Sequence, residues 1–488
     1  MTREALLPLL LVVLSCEALV EAYPVQCGHP TECDTYNGET CVDGECRIQV
    51  VNTGGNNSTS TASSSASSSA SSSSSGGTGS SGGSTSSSGG GTSTGGQVSL
   101  PESADNDLAG HAVALQGDFL VVGAPHADSD GTTRAGKVYV LRRQLDGSWG
   151  QPVVLHADTS RAANGYFGHA VALDIPYLVV GAPGEGNTRE GQVHVFKQAN
   201  GVDNTWTPHA LLRCAATCPG DETGTAVDIY GDVIVAGAPK NNTEDPNDEV
   251  GAVLTFRLNA AGTDWDRLPT RFSTQPFEGG SFGSSLAVDG TRLLVGAPHE
   301  QLSDAGIPSG AVSFFTFDTN TDTWTLEQRF NTPNDEGNQG DVGFGTSVAL
   351  HGEHALVGAP GLASDTQSAA GAAYFFHLEG NSWISVKKTA PAPGVDNRYG
   401  AAVALRDNMA AVGEVPYYGG SQSAGGAVYL YEWNPAVPAW TYRRPQTAGA
   451  LRDEDDFGFS LSMSEGRFAV GMPREVYSAP GLVFVHDW

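Results

Sequence analysis

From residue 97 onward the chain alternates short apolar runs with polar turns. Residues 167–183, FGHAVALDIPYLVVGAP, hold the unit: an apolar run, a polar turn, a second apolar run, then Gly-Ala-Pro. Further copies lie at 108–125, 222–239, 281–298, 343–360, 398–415 and 456–473. In each copy a first Gly and a second Gly stand 13 residues apart, as with Gly110 and Gly123 or Gly458 and Gly471. Self-similarity at this period signals a repeat architecture before any single motif is weighed. No sustained 3.6-residue pattern competes with it.

After each second Gly comes a variable polar loop. A third run opens on Gly-x-Val or a close variant, as in GKVYVL (136–141) and GAVYLY (426–431). A Gly, Asn or Asp turn follows, then a Trp that opens a fourth run: Trp149, Trp206, Trp265, Trp324, Trp383 and Trp440. Four short strands, seven times over, predict an all-β chain. The predicted fold is a seven-bladed β-propeller of four-stranded blades over 97–488. The second run is apolar on both sides, as a strand buried between blades must be. Its Pro ends it by removing a ladder donor. The first Gly permits close backbone approach near the axis, and the Trp is large enough to cover the gap between blades. The seventh copy has no Trp-led fourth run after Gly481. An unpaired edge invites aggregation, so residues near 97–100 are expected to pair with 482–486 and fasten the ring.

The residues before 97 differ in kind. Residues 1–22 carry Arg3, the apolar run LLPLLLVVL and a small-residue cleavage site at Val20-Glu21-Ala22, which reads as a secretory signal peptide. Residues 23–50 hold Cys27, Cys33, Cys41 and Cys46, an even, dense cluster. It implies a small disulfide-rich module with two bridges and three possible connectivities. The spacings lack a zinc-knuckle pair. Cys214 and Cys218 are placed to close a further small loop. Residues 51–96 are almost entirely Ser, Gly and Thr, the composition of a disordered linker. Asn56, Asn57 and Asn241 head glycosylation sequons. Together these predict a secreted or cell-surface protein with no transmembrane segment.

Net charge is −29. Such a chain is repelled by nucleic acid. Solubility accounts for the charge on its own; a preference for cations or basic partners is the other reading. On propeller topology, the strand 2–3 loops and the inter-blade loops share one face, and they hold 28 acids against eight bases. Candidate metal ligands lie there, at Asp128 and Asp130 and at Asp453, Asp455 and Asp456, with calcium the ion that suits them. No other cofactor is implied. Gly279-Gly280-Ser281-Phe282-Gly283 matches a nucleophile elbow, but a strand follows where a helix is needed. No catalytic residue is assigned, and the chain is not expected to be an enzyme.

The paired signatures, Phe-Gly at Phe167-Gly168, Phe282-Gly283, Phe344-Gly345 and Phe457-Gly458 and Gly-Ala-Pro at Gly123-Ala124-Pro125 and four further copies, resemble FG-GAP repeats. Those repeats build the heads of integrin α subunits and many secreted proteins. The resemblance implies a seven-bladed propeller used for extracellular recognition or adhesion, binding a protein or glycan through its loops. It departs from integrins in one respect. The connection between the FG and GAP strands is a short turn, such as Gln116-Gly117-Asp118, with no room for the integrin calcium loop. Two copies are irregular: Glu222-Thr223 replaces the usual Phe, and Glu414 stands where Ala is usual and needs a partner or a raised pKa. A propeller enzyme or lectin acting on extracellular polysaccharide, and a structural matrix or coat protein, are the alternative readings.

Overall fold

The computed structural model describes residues 39–42, 45–48 and 96–488, except 102, 158–161, 200–202, 215–217, 243–248, 276, 302–308, 333–341, 364–367, 417–424, 448–454 and 475–478. The signal peptide, Cys27, Cys33, Asn56, Asn57 and nearly all of the linker lie outside the described residues. The chain divides into two units, residues 1–88 and 89–488. In the first, Glu39–Val42 pairs antiparallel with Glu45–Ile48, which sets Cys41 opposite Cys46.

The second unit is a ring of seven antiparallel sheets, six of them running from inner to outer strand in chain order and the seventh completed by a strand from the start of the array. Blade four shows the plan: Ser285–Asp289, Arg292–Ala297, Ala311–Asp318 and Thr323–Asn331. The second strands are the most deeply buried. Phe119–Ala124, Tyr177–Ala182 and Val233–Ala238 are buried at every residue. Both faces meet a neighbouring blade, so an unbroken apolar run suits them. No α-helix occurs among the described residues. In blade three the outer strand splits into Trp265–Arg267 and Arg271–Phe272. Pro269 lies in the break and has no N–H for the ladder.

The two repeat signatures meet across each seam. The Gly that opens a third strand bridges the Phe position of the next blade: Gly136 to Phe167, Gly251 to Phe282, Gly310 to Phe344. The Gly of Gly-Ala-Pro lies against the first Gly of the next copy. A Cβ on Gly237 would lie 1.9 Å from the Gly283 carbonyl oxygen, and one on Gly471 would lie 2.0 Å from that of Gly110. Close approach is thus between blades, all the way round the ring. The tryptophans cover the outer part of the same seams, each packing back onto the preceding blade. Trp206 meets Phe119 edge-on, and Trp265 meets Tyr177.

The ring closes as the chain pattern predicts. Gly96–Val98 is the outer strand of blade seven, with Gly96 opposite Val485, Gln97 opposite Phe484 and Val98 opposite Val483. Pairing ends at Val98, so Ser99 and Leu100 stand outside it. The inner strands add a second fastening. Ser460, Ser462 and Ser464 alternate along the inner strand of blade seven. Their hydroxyls bond the Gly110 carbonyl at 2.7 Å, the Leu115 N–H at 2.9 Å and the Gly117 N–H at 3.1 Å in blade one.

Candidate binding face

The strand 2–3 loops and the inter-blade loops leave the ring on the same side, because the bridge from Gly136 to Phe167 joins one kind of loop to the other. Fifteen of the acids predicted for this face are described, and seven of them are buried: Asp107, Glu185, Asp221, Glu300, Glu414, Asp455 and Asp456. A sum over loop sequences counts them as solvated charge. The structure uses them to hold the loops.

Their placement follows a rule. Three residues before the first Gly of a copy, and two residues after its Pro, two side chains face each other, 20 residues apart. In blades one to four one of the two carries a carboxylate, and the other is small or hydrogen-bonds to it. Asp107 faces Ala127. Gly165 faces Glu185, and a Cβ on Gly165 would lie 3.1 Å from the Glu185 Cγ. Asp221 faces Asn241, whose Nδ2 donates to it. Gly280 faces Glu300. In blade five both are apolar, Val342 and Leu362, and both join the core. In blade six Asn397 reaches Glu414 instead, donating from Nδ2 to Oε1 at 2.9 Å.

Each buried acid has a partner. The Ala104 N–H donates to Asp107 at 2.9 Å. His194 Nε2 lies 2.7 Å from Glu185. Ser273 Oγ donates to Glu300 at 2.9 Å, and Arg329 Nη2 lies 3.0 Å from it. Arg474 Nε donates to Asp455 at 2.9 Å. Burial, the largest cause, pushes Asp107 and Glu300 up, Asp221 up to about 6 and Glu414 up to about 7. The acids left exposed are Asp105, Asp128, Asp130, Glu249 and Glu278.

The predicted site residues are dispersed. Asp128 accepts the Arg134 N–H at 2.9 Å, Asp455 is taken by Arg474, and Asp453 lies outside the described residues. Among the described residues no group of three or more His, Cys, Asp or Glu side chains is placed to hold a metal ion. The integrin calcium position does not fit these residues. At the strand 1–2 turns Asp174 accepts the Gly231 N–H at 2.7 Å and Asp289 accepts the Gly352 N–H at 2.6 Å, so these carboxylates tie one blade to the next. His351 reaches Asp407 at 3.3 Å, while His354 stacks on His377. Cys214 and Cys218 form a disulfide. Asn241 offers to a glycan the same Nδ2 that it gives to buried Asp221.

Two features were missed in the sequence. At the inner-strand position four residues after the first Gly, five copies have Ala, one has Ser462 and one has Asp228. Asp228 accepts the Val288 N–H of the next blade at 2.7 Å, and burial pushes it up to about 7. Repeat alignment alone would have exposed it. At the mouth of the central channel His111 and His169 lie 4.7 Å apart, ring to ring, with Phe459 at 5.2 Å from His111. Burial pulls them down to about 3 and about 4, so both are neutral.

A ring of seven four-stranded blades, with one face of unequal loops, defines a seven-bladed β-propeller, a fold that fits a ligand-binding role. The family model for the FG-GAP repeat matches residues 100–141, 149–196 and 324–376. With the FG and GAP positions meeting at the seams, the chain matches an FG-GAP repeat propeller. Among solved structures it resembles the crystal structure of RRP9 WD40 repeats, at 9% identity over 80% of this chain and 97% of that one, TM-score 0.48. It also resembles the crystal structure of Saccharomyces cerevisiae Sqt1, at 10% identity over 78% and 83%, TM-score 0.42. No curated protein matches the chain.

Proposed function

We propose that this chain is a secreted or cell-surface recognition protein, and that it binds an extracellular protein or glycan through the loop face of the propeller. FG-GAP repeats are typical of extracellular and cell-surface proteins. No described helix is long and apolar enough to cross a membrane. The observation that carries the reading is the division within each blade. The seams repeat the same Gly contacts, whereas the loops between, for example, Pro125 and Gly136 or Pro183 and Gly191 differ in length and sequence. A fixed frame bearing variable loops is the arrangement in which binding residues concentrate. The reading carries no catalytic step.

The exposed acids Asp105, Asp128, Asp130 and Glu278 would favour a basic partner. The full chain, biotinylated and applied to a glycan array and to extracellular protein extracts, should capture a ligand whose binding weakens as salt rises. Neutralising those four acids to Asn or Gln should weaken it further. Binding indifferent to both would move the site away from this face. A glycan-binding reading has one observation of its own. A cleft of about 140 Å3 between the rims of blades five and six is lined by Phe375, Trp433 and Trp440. Loss of array binding in Trp433→Ala, with the four loop acids immaterial, would favour it.

A further inference from the structure

The outer strands of blades five and six, Ser382–Lys388 and Ala439–Gln446, border one cleft on the rim. Together they carry Lys387, Lys388, Arg443 and Arg444 and no acid, in a chain of net charge −29. The seam between them is filled differently from the one before it. Between blades four and five, two side chains of the blade-four outer strand fill the seam. Gln328 stands opposite Phe314, and Phe330 stands opposite Val312. Gln328 Nε2 donates to the Trp383 carbonyl at 3.5 Å, and the Trp383 N–H donates to Gln328 Oε1 at 2.9 Å. The Phe330 ring lies 5.9 Å from Phe314 and 4.9 Å from Phe376 of the next blade.

In blade five the same register positions are Val386, opposite Phe375, and Lys388, opposite Ala373. Val386 has no amide to reach across with and is 60% exposed, and Ile384 is 48% exposed. The Lys388 ammonium takes the place of the Phe330 ring, 5.9 Å from the Phe375 ring centre and 5.8 Å from that of Tyr431. No carboxylate answers it among the described residues, and the loss of water pulls it below the ordinary lysine range.

We propose that the cleft at this seam binds one acidic sugar unit of an anionic polysaccharide, with the sugar ring on the indoles and its carboxylate or sulfate on Lys388. The inference rests on the glycan reading of this cleft and adds the charge. A volume of about 140 Å3 is below the roughly 300–1,000 Å3 of sites that enclose a free ligand, so the cleft suits one unit of a chain. A sugar ring has apolar C–H faces and polar edges. Trp433 and Trp440 offer the negative faces of their rings to the first. His377 and Glu379 at one end of the cleft, and Lys388 at the other, meet the second. The net charge of the molecule repels a polyanion elsewhere. A chain that continues past the cleft stays on strands that carry bases and no acid.

The test is an array of matched neutral, uronate-bearing and sulfated glycans, probed with the full-length protein. It should bind acidic members. Methyl esterification or desulfation of a bound member should weaken binding roughly tenfold or more, and Lys388→Gln should do the same. Trp433→Ala should abolish binding. Because Trp433 also packs in the seam, the exposed Val386 supplies a second variant. Val386→Gln restores the side chain that closes the preceding seam, so it should weaken binding without lowering the melting temperature. Polyglutamate, which has the charge without the sugar ring, should not compete. Equal binding of acidic and neutral members, or binding indifferent to Lys388→Gln, would overturn the acidic-sugar inference and leave the glycan reading standing. No glycan bound, or binding indifferent to Trp433→Ala, would remove the glycan reading of the cleft as well. Competition by polyglutamate would overturn the inference in favour of an acidic peptide.

Discussion

Glu414 illustrates how a single residue departs from its repeat and is accommodated. It stands at the Ala of Gly-Ala-Pro, is 8% exposed, and bonds Asn397 and Tyr429. Burial raises it from the usual carboxylate range to about 7. Between about pH 4 and pH 7 the folded state keeps this proton and the unfolded chain has lost it. Its contribution to stability is therefore full below the unfolded value and falls as pH rises towards 7. Glu414→Gln removes the titration and keeps the shape. The variant should be more stable than the parent by on the order of 2 kcal/mol at pH 8 and equal to it near pH 4.5. Unfolding curves at the two pH values decide the matter; the same difference at both would show that Glu414 does not titrate as described. The neutral histidines act in the opposite sense. His111 and His169 titrate far below the unfolded value, so their contribution is lost as pH falls below about 6.5. The need for a partner at Glu414 was legible in the sequence. The burial of Glu185, Asp221 and Glu300 was not, because a loop acid in a sequence carries no mark of the direction it takes. The mark lies in the pairing at 20 residues, Gly165 with Glu185 and Gly280 with Glu300, where a missing side chain on one side makes room on the other.

At the scale of the strand, the repeat was legible because its constraints are steric and recur. Two glycines in one blade separate those constraints. Gly237 faces the Gly283 carbonyl with no room for a methyl group, whereas Gly231 sits in a turn with open space around it and φ of 58°. Gly237→Ala should push two blades apart and cost about 3 kcal/mol or more. Gly231→Ala pays only for a left-handed backbone, about 1–2 kcal/mol. Denaturant unfolding of the two variants ranks them, and a Gly237 variant as mild as the Gly231 one would refute the seam contact. Element boundaries were less legible. In blade one Trp149 precedes the outer strand, which begins at Val153, and in blade three Pro269 splits it.

For the whole molecule the decisive contact joins the two ends of the array. Val98 is 2% exposed and packs with Ala109, Val113, Ala469 and Val483, which come from both sides of the closing seam. Burying one such side chain is worth about 1.5–3 kcal/mol, and an open ring also bares a strand edge. A chain beginning at Asp107 should therefore melt roughly 5 °C or more below one beginning at Gly96. Coincident melting of the two would mean that the three-residue strand adds nothing. The same contact sets a timetable for synthesis. Gly96–Val98 is translated before any blade, and Val483–Val485 comes nearly four hundred residues later. At about 5–20 residues per second the strand waits on the order of a minute for its partner. Throughout that interval every nascent molecule is an unfastened arc, and a ribosome that stalls within the copies leaves it so.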